Sequence, residues 1–323
     1  MAALKKTKKT VKSKAKPAPK AKAAKPVPAA KAKRPAKPAK VSLKVPAPAP
    51  AAKPAHPVSP LAPKSFRDLP PMAGVRLGSV AAGIKYQGRT DLLCAVFAPR
   101  TQAAGVFTTS KTRSAPVDWC RANLARSGES QGSARLLIVN SGNANAFTGA
   151  EGLEAVRRTA EAGAAALGCD PAEVFISSTG VIGEPLPWGR ITAKLDDAIE
   201  GASAGGWLAA ARAIMTTDTF PKLATATAKI GEATVRINGI AKGSGMIAPD
   251  MATMLSYVVT DATLPHDVLQ TLISEGAKSS FNAARTRSLK KVKPPLTSKV
   301  FSPAAWQAFT KAGTPSLIFS RRS

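Results

Sequence analysis

The stretch Lys242-Gly-Ser-Gly-Met-Ile-Ala-Pro-Asp-Met-Ala-Thr-Met-Leu255 joins a flexible turn, an apolar bend and the start of a β-type run. Gly243 and Gly245 permit backbone angles that other residues resist, and Pro249 biases the residue before it away from helix. Thr253 stands directly before the β-type run. The pattern suits a chain that exposes one carbonyl and one hydroxyl. On its own, however, it favours an ordinary loop before a buried strand, and other parts of the chain decide between the two interpretations.

The positive charge of the chain lies at its two ends. The formal net charge is +28 over 323 residues. Residues 1–56 contain 17 Lys or Arg and residues 283–323 contain nine, and neither segment contains an acid. Residues 57–282 carry a net charge of only +2. We therefore predict a near-neutral folded body, 57–282, between two basic segments.

The first 56 residues repeat Lys, Ala and Pro and contain no aromatic residue. Dense proline prevents a helix, and the absence of aromatic side chains prevents a core, so this segment is predicted to be a disordered basic tail. It either contacts nucleic acid through charge and counterion release or serves only as a solubilising tail. Both interpretations stay open.

From Val58 onward, strand-like and helix-like patterns alternate, which predicts an α/β fold. Two strands around Gly231-Glu232 read as a hairpin. The predicted strands are 74–84, 92–98, 105–109, 135–140, 174–177, 224–230, 233–240 and 254–259, and the predicted helices are 117–125, 152–167, 189–200, 206–215 and 265–281. No apolar run approaches the length that spans a bilayer, so no membrane association is expected.

The sequence lacks the residues of several common enzyme classes. It has two histidines, of which His56 lies in the basic tail, and no G-x-S-x-G, P-loop or dinucleotide-binding pattern. The three cysteines form no C-x-x-C pair, and we predict no metal site. One nucleophile class needs no histidine. If the Ala252–Thr253 peptide bond breaks, the new α-amine, with a reference pKa of about 7.7–8.0, can take the Thr253 hydroxyl proton at neutral pH.

Six stretches, in order along the chain, resemble the bifunctional ornithine acetyltransferase (glutamate N-acetyltransferase) family of arginine biosynthesis. These are Val58-Ser-Pro-Leu-Ala-Pro-Lys64, Ser114-Ala-Pro-Val-Asp-Trp-Cys120, Asn140-Ser-Gly-Asn-Ala-Asn-Ala-Phe-Thr-Gly149, Ser177-Ser-Thr-Gly-Val-Ile-Gly183, Met215-Thr-Thr-Asp-Thr-Phe-Pro-Lys222 and Lys242 to Leu255. The resemblance implies a layered α/β sandwich. It also implies self-cleavage between Ala252 and Thr253 into an α chain (57–252) and a β chain beginning at 253.

The resemblance assigns the site residue by residue. Thr253 is the nucleophile, Thr179 and Gly180 match the oxyanion hole, and Thr216 and Lys242 match the substrate-binding residues. A hydroxyl and a backbone N–H at a strand end suit an oxyanion, although Thr179-Gly180 alone is more typical of a turn. By itself Lys242 is more typical of a surface charge. The resemblance instead implies that Lys242 binds the α-carboxylate of the substrate.

The implied reaction moves acetyl from N-acetylornithine to glutamate through an acetyl-threonine. It needs no bound cofactor and no metal, and acetyl-CoA is a further acetyl donor in bifunctional members. The resemblance also implies a heterotetramer of two α and two β chains. We expect a cytoplasmic location, with the mitochondrial matrix as the alternative for a fungus-like source.

The resemblance stops after Asn282, in the middle of a motif. Residues 283–323 show no clear period, and we expect them to be poorly ordered, as the product of a frame shift or an aberrant gene end. The β chain would then consist of 253–282 and an unrelated tail. Two alternatives therefore stay beside the acetyltransferase: a truncated, inactive member of the family, and a basic-tailed nucleic-acid-binding protein.

Overall fold

A computed structural model describes residues 58–60, 62–126, 131–244, 254–279 and 317–321. The chain separates into two units, Met1–Lys53 and Pro54–Ser323, and every described residue belongs to the second unit. The predicted basic tail 1–56 lies outside the described residues. So does the predicted boundary between 252 and 253, which stays a prediction. No helix in the described ranges has both the length and the apolar character that a bilayer crossing requires.

The described residues form one eight-stranded sheet whose main path runs β4-β3-β2-β8-β7-β6-β5, with β1 paired to β2. The pairs β3–β4 and β7–β8 are parallel, and the others are antiparallel. The strands are β1 Val75–Val80, β2 Leu92–Gly105, β3 Ser133–Asn143, β4 Val174–Val181, β5 Lys222–Ile230, β6 Ala233–Lys242, β7 Leu255–Thr263 and β8 Leu317–Arg321.

Six α-helices accompany these strands in the described part of the chain. They are α1 Ala115–Leu124, α2 Gly149–Leu167, α3 Trp188–Thr192, α4 Leu195–Glu200, α5 Trp207–Ala213 and α6 His266–Ser279, and a short 3-10 turn at Pro171–Glu173 precedes β4. The predicted α/β class is confirmed. The hairpin of β5 and β6 is also confirmed, with Gly231 in the left-handed region that its tight turn requires (φ 58°).

Both faces of the sheet are buried at β2, because residues that alternate along this strand enter two different hydrophobic cores. On β2, Leu93, Ala95 and Phe97 join the core that contains Trp207 of α5. Leu92, Cys94 and Val96 join the core on the opposite face, which contains residues of α2 and α4. This part of the sheet is therefore a layer between helices.

The helix α2 shows why these residues form a helix and which face it buries. Its buried positions recur at helical spacing and include Gly163, where an added Cβ would lie 2.8 Å from Leu136 Cδ2. Its solvent face carries ion pairs from Glu154 to Arg157 and Arg158. Gly168 ends the helix in the left-handed conformation, and its N–H donates to Ala164 O.

Strand β2 corrects two sequence predictions. The chain runs as one strand from Leu92 to Gly105, with a register shift between Val96 and Thr101 and a positive φ of 66° at Arg100. The strand predicted over 105–109 is wrong, since residues 106–110 have no regular structure. A β-bulge lets one strand change direction without ending. The local sequence pattern does not distinguish such a bulge from the end of one strand and the start of another.

Strand β8 corrects part of the expectation for residues 283–323. Leu317–Arg321 occupies an interior position of the sheet, antiparallel to β2 and parallel to β7. Phe319 is fully buried and its ring stacks on Phe97, with ring centroids 4.2 Å apart. These five residues are therefore ordered, because sheet pairing on both sides satisfies their main chain. The other residues of 283–323 lie outside the described ranges.

Candidate functional site

The predicted oxyanion residues lie where two parallel strands end side by side. Thr179 on β4 is opposite Ser141 on β3, and Gly180 is opposite Gly142. Thr179 is buried, whereas Gly180 is exposed with a φ of 140°. A Cβ at position 180 would lie 2.2 Å from the carbonyl carbon of Gly142. Glycine is therefore required here, both for its backbone angle and for the close approach of the two strands.

An asparagine network holds the chain that leaves β3 beside this strand end. The side-chain Nδ2 of Asn143 donates to Glu184 O at 3.0 Å and to Pro185 O at 3.2 Å. The side-chain Oδ1 of Asn143 accepts from Asn145 N at 2.7 Å. Asn145 is fully buried, has a φ of 46° and donates to Gly152 O at 3.0 Å. A non-glycine residue in this conformation persists when its surroundings determine it, which is typical of functional loops.

The two predicted substrate residues, Thr216 and Lys242, are brought together from positions 26 residues apart. Thr216 lies in the turn between α5 and β5, and Lys242 is the last residue of β6. The Lys242 ammonium donates to the Thr216 hydroxyl at 3.2 Å. Lys242 is buried, with 6% of the residue exposed, so it is not the surface charge that its sequence context alone suggests.

A carboxylate and a second lysine complete this cluster. Asp218 accepts a hydrogen bond and an ion pair from Lys222, and both side chains are buried. Burial acts to raise the pKa of Asp218, but the charge of Lys222 and the hydrogen bonds that Asp218 accepts outweigh it, and the pKa lies below its ordinary value. Burial lowers the pKa of Lys242. The negative charge of Asp218 opposes this shift in pKa, and the positive charge of Lys222 adds to it.

One hydrogen bond connects β3, beside the predicted oxyanion residues, to the segment that leads into the turn containing Thr216. The hydroxyl of Ser141, which lies opposite Thr179, donates to Ala213 O at 2.7 Å. Ala213 is the last residue of α5, three positions before Thr216. The guanidinium of Arg89 donates to Met215 O in the same turn. Strand β3, which pairs with the strand of Thr179 and Gly180, is therefore hydrogen-bonded to the end of α5, just before Thr216.

The predicted nucleophile Thr253 and its neighbour Ala252 lie outside the described residues. The described chain resumes at Met254, and β7 begins at Leu255. Leu255 is directly opposite Lys242 in the β6–β7 ladder. Lys242, the predicted substrate-binding lysine, is thus paired with the residue two positions after the predicted nucleophile.

The three cysteines are poorly suited to nucleophilic chemistry. Burial raises the pKa of Cys94 to about 12, and that of Cys120 also to about 12, so both thiols stay protonated at neutral pH. Cys169 is half-buried, and burial raises its pKa as well. Across the described residues, no three His, Cys, Asp or Glu side chains come together in a way that would hold a metal ion.

Sequence reasoning did not single out Asp218 or the asparagine network. Asp218 and Lys222 have the i, i+4 spacing of a charge pair, but Lys222 begins β5 and both residues are buried. Such spacing usually marks a solvent-exposed helical pair, so it does not predict this arrangement. The only local sign of the asparagine network is the high content of asparagine and glycine within Asn140–Gly149, which is typical of a structured loop.

The profile of the ArgJ family matches residues 76–287. The arginine biosynthesis bifunctional protein ArgJ of Brucella suis biovar 1 is 57% identical over 231 residues, which are 72% of this chain and 55% of that protein. The protein of the same name from Agrobacterium fabrum is 56% identical over 231 residues, with the same two coverages. The crystal structure of ornithine acetyltransferase complexed with ornithine from Mycobacterium tuberculosis is 36% identical, covering 57% of this chain and 94% of that one with a TM-score of 0.48.

The chain spans about half the length of the curated relatives it matches. The profile covers well over half of this chain, and it includes the β3–β4 strand end, the Thr216 turn and the end of β6. On this evidence the chain belongs to the ArgJ family.

Proposed function

We propose that the chain transfers acetyl from N-acetylornithine to glutamate through an acetyl ester on Thr253. Cleavage of the Ala252–Thr253 bond by the Thr253 hydroxyl precedes the transfer. Acetyl-CoA is a further acetyl donor in this proposal, and no cofactor stays bound. The ammonium–hydroxyl contact between Lys242 and Thr216 at 3.2 Å is the observation that carries the proposal.

That contact supports amino-acid recognition because a buried ammonium beside a neutral hydroxyl is complementary to a carboxylate. Its place in the sheet supports the assignment of Thr253. Leu255 is opposite Lys242 in the ladder, and two residues of chain span at most about 7 Å. Chain connectivity therefore keeps the predicted nucleophile close to the predicted carboxylate site.

Self-cleavage begins when the Thr253 hydroxyl oxygen attacks the carbonyl carbon of Ala252. The peptide C–N bond breaks as the ester forms, and the nitrogen becomes the α-amine of Thr253. Water then hydrolyses the ester, which leaves a carboxylate on Ala252 and restores the hydroxyl. The new amine, with a reference pKa of about 7.7–8.0, is partly unprotonated at neutral pH and serves as the general base.

In the transfer, the same hydroxyl attacks the acetyl carbonyl of N-acetylornithine, and ornithine leaves with the proton that its amine requires. The amine of glutamate then attacks the acetyl-threonine, which regenerates the hydroxyl. Each attack places negative charge on the carbonyl oxygen. Thr179 and the N–H of Gly180 are proposed to stabilise that charge, a role for which one donor is typically worth about 2.7–4 kcal/mol. The close packing of Gly180 on Gly142 supports a rigid position for this N–H.

The proposal extends to assembly and location. The α and β chains stay associated as a heterotetramer of two of each, in the cytoplasm. A separate hypothesis is that the basic tail, residues 1–56, contacts nucleic acid. Deletion of that tail from a chain that binds DNA would test it, since salt-sensitive binding should then be lost.

The test combines intact mass measurement with an acetyl-transfer assay. We expect two fragments, the second beginning at Thr253, and formation of ornithine and N-acetylglutamate from N-acetyl-L-ornithine and L-glutamate. Thr253→Ala should abolish both cleavage and transfer, because one hydroxyl serves both. Thr263→Ala, at the exposed end of β7, is the matched control and should retain both. An uncleaved wild-type chain that transfers no acetyl would reject the proposal and indicate an inactive family member.

A further inference from the structure

A buried ion pair lies directly behind the contact between Lys242 and Thr216. The side chains of Asp218 and Lys222 are 1% and 3% exposed, and the ammonium of Lys222 donates to Asp218 Oδ1. Replacement of a buried ion pair by apolar residues is often neutral or stabilising. Stability alone therefore does not account for a charged pair at this place.

Asp218 also accepts hydrogen bonds from two main-chain N–H groups. Gly243 N donates to Oδ1 at 2.8 Å, and Thr216 N donates to Oδ2 at 3.4 Å. Thr216 is one of the two predicted substrate residues, and Gly243 follows Lys242, which is the other. One carboxylate therefore links the turn after α5 to the end of β6, the two segments that meet at the proposed substrate site.

The charges of the cluster leave one positive charge uncompensated. Lys222 neutralises Asp218, while Lys242 forms no salt bridge with any described residue and donates instead to the Thr216 hydroxyl. Lys242 is nevertheless buried. Burial of an unpaired charge is unfavourable, so a ligand carboxylate at Lys242 would supply the missing partner.

We propose that Asp218 is a positioning residue, which holds Thr216 and Lys242 in the geometry that receives the carboxylate of an amino-acid substrate, with Lys222 as its counter-charge. The inference rests on the proposed acetyl transfer and adds a residue to its site. Asp218 does not touch the substrate itself. It acts through the main chain on either side of the contact.

The test is Asp218→Asn in the full chain, measured by steady-state acetyl transfer. Asparagine offers one acceptor oxygen instead of two, so a main-chain N–H loses its partner and Lys222 loses its counter-charge. We expect KM for N-acetyl-L-ornithine to rise at least about tenfold, with a smaller change in kcat. Asp267→Asn, an exposed residue in the first turn of α6, is the matched control and should leave KM unchanged.

A second variant separates positioning from folding. In the double variant Asp218→Asn/Lys222→Met, no uncompensated charge remains from the pair, and a side chain of similar length fills the buried space. We expect its urea midpoint to recover relative to Asp218→Asn, while KM stays raised because one of the two main-chain contacts of Asp218 is still lost. A KM that returns to the wild-type value would overturn the proposal.

The kinetic pattern distinguishes the remaining outcomes. A merely structural role would reduce the folded fraction, so kcat would fall and KM would not change, and that result overturns the inference while leaving the proposed function intact. Calorimetry with N-acetyl-L-ornithine adds a measurement that is independent of turnover. A wild-type chain that neither binds this compound nor transfers acetyl would reject the proposed function, and the role of Asp218 with it.

Discussion

Phe319→Ala tests whether the segment 317–321 is an interior strand of the sheet. Phe319 is fully buried on β8, between β2 and β7. Its ring stacks on Phe97 with a 4.2 Å centroid distance and a 22° interplanar angle, and meets Phe175 edge-on at 6.2 Å and 84°. The substitution therefore removes a side chain that joins residues of β2 and β4 in one core.

The magnitude follows from burial and from the rigidity of the neighbouring strands. Truncation of a buried Phe to Ala typically costs about 3–5 kcal/mol, and the cost is larger where the cavity cannot collapse. Hydrogen-bonded strands on both sides hold the β8 main chain in place, so we expect a value toward the upper end. A loss of this size is a large fraction of the roughly 5–15 kcal/mol by which a domain is stable.

The assay is urea unfolding followed by far-UV circular dichroism and tryptophan fluorescence. Phe147→Ala is the matched control, since it makes the same chemical change at a side chain that is 70% exposed, and it should stay within about 0.5 kcal/mol of wild type. We expect a lower midpoint for Phe319→Ala with an unchanged slope. If the two variants unfold at the same urea concentration, β8 does not occupy the interior position and the reasoning fails.

Three further predictions concern the site. Gly180→Ala should destabilise the chain by about 1–3 kcal/mol and abolish acetyl transfer, because the new Cβ meets the Gly142 main chain. The control Gly168→Ala has open space around its Cβ and should retain transfer. Urea unfolding and the acetyl-transfer assay check both variants. Lys242→Met should retain cleavage by intact mass but weaken substrate affinity at least about tenfold, and unchanged affinity would remove it from the site. Because the folded pKa of Asp218 lies below its unfolded value, its contribution to stability is present above about pH 4 and is lost as pH falls through the folded pKa. The free energy of unfolding, measured from pH 6 to 3, should therefore decline less steeply in Asp218→Asn than in the wild type. Equal declines in the two proteins would contradict this.

Local pattern was a good guide to elements whose residues interact with near neighbours in the chain. The hairpin of β5 and β6 was predicted from alternation around Gly231-Glu232, because a two-residue turn sets its own register. The helix predicted over 189–200 is instead two helices, Trp188–Thr192 and Leu195–Glu200. Local periodicity does not reveal a short break that the surrounding core imposes.

The sequence predicted some features of the site, and others depend on tertiary packing. Motif resemblance placed Thr179, Gly180, Thr216 and Lys242 in a common function, and the roles of these residues and of Thr253 remain proposals. Resemblance did not say which charges are buried. That depends on what packs around a side chain, and the sequence around Lys242 looks like that of an exposed lysine.

From amino-acid order alone came the α/β class, the division into a near-neutral body with basic ends, and the family to which the motifs belong. Only the tertiary structure brought Lys242 to Thr216, placed Asp218 behind them and ordered Leu317–Arg321 between β2 and β7. These contacts join residues far apart in sequence. Their formation depends on the whole sheet, because a strand without partners or a buried charge without a counter-charge is unstable until the rest of the chain supplies them.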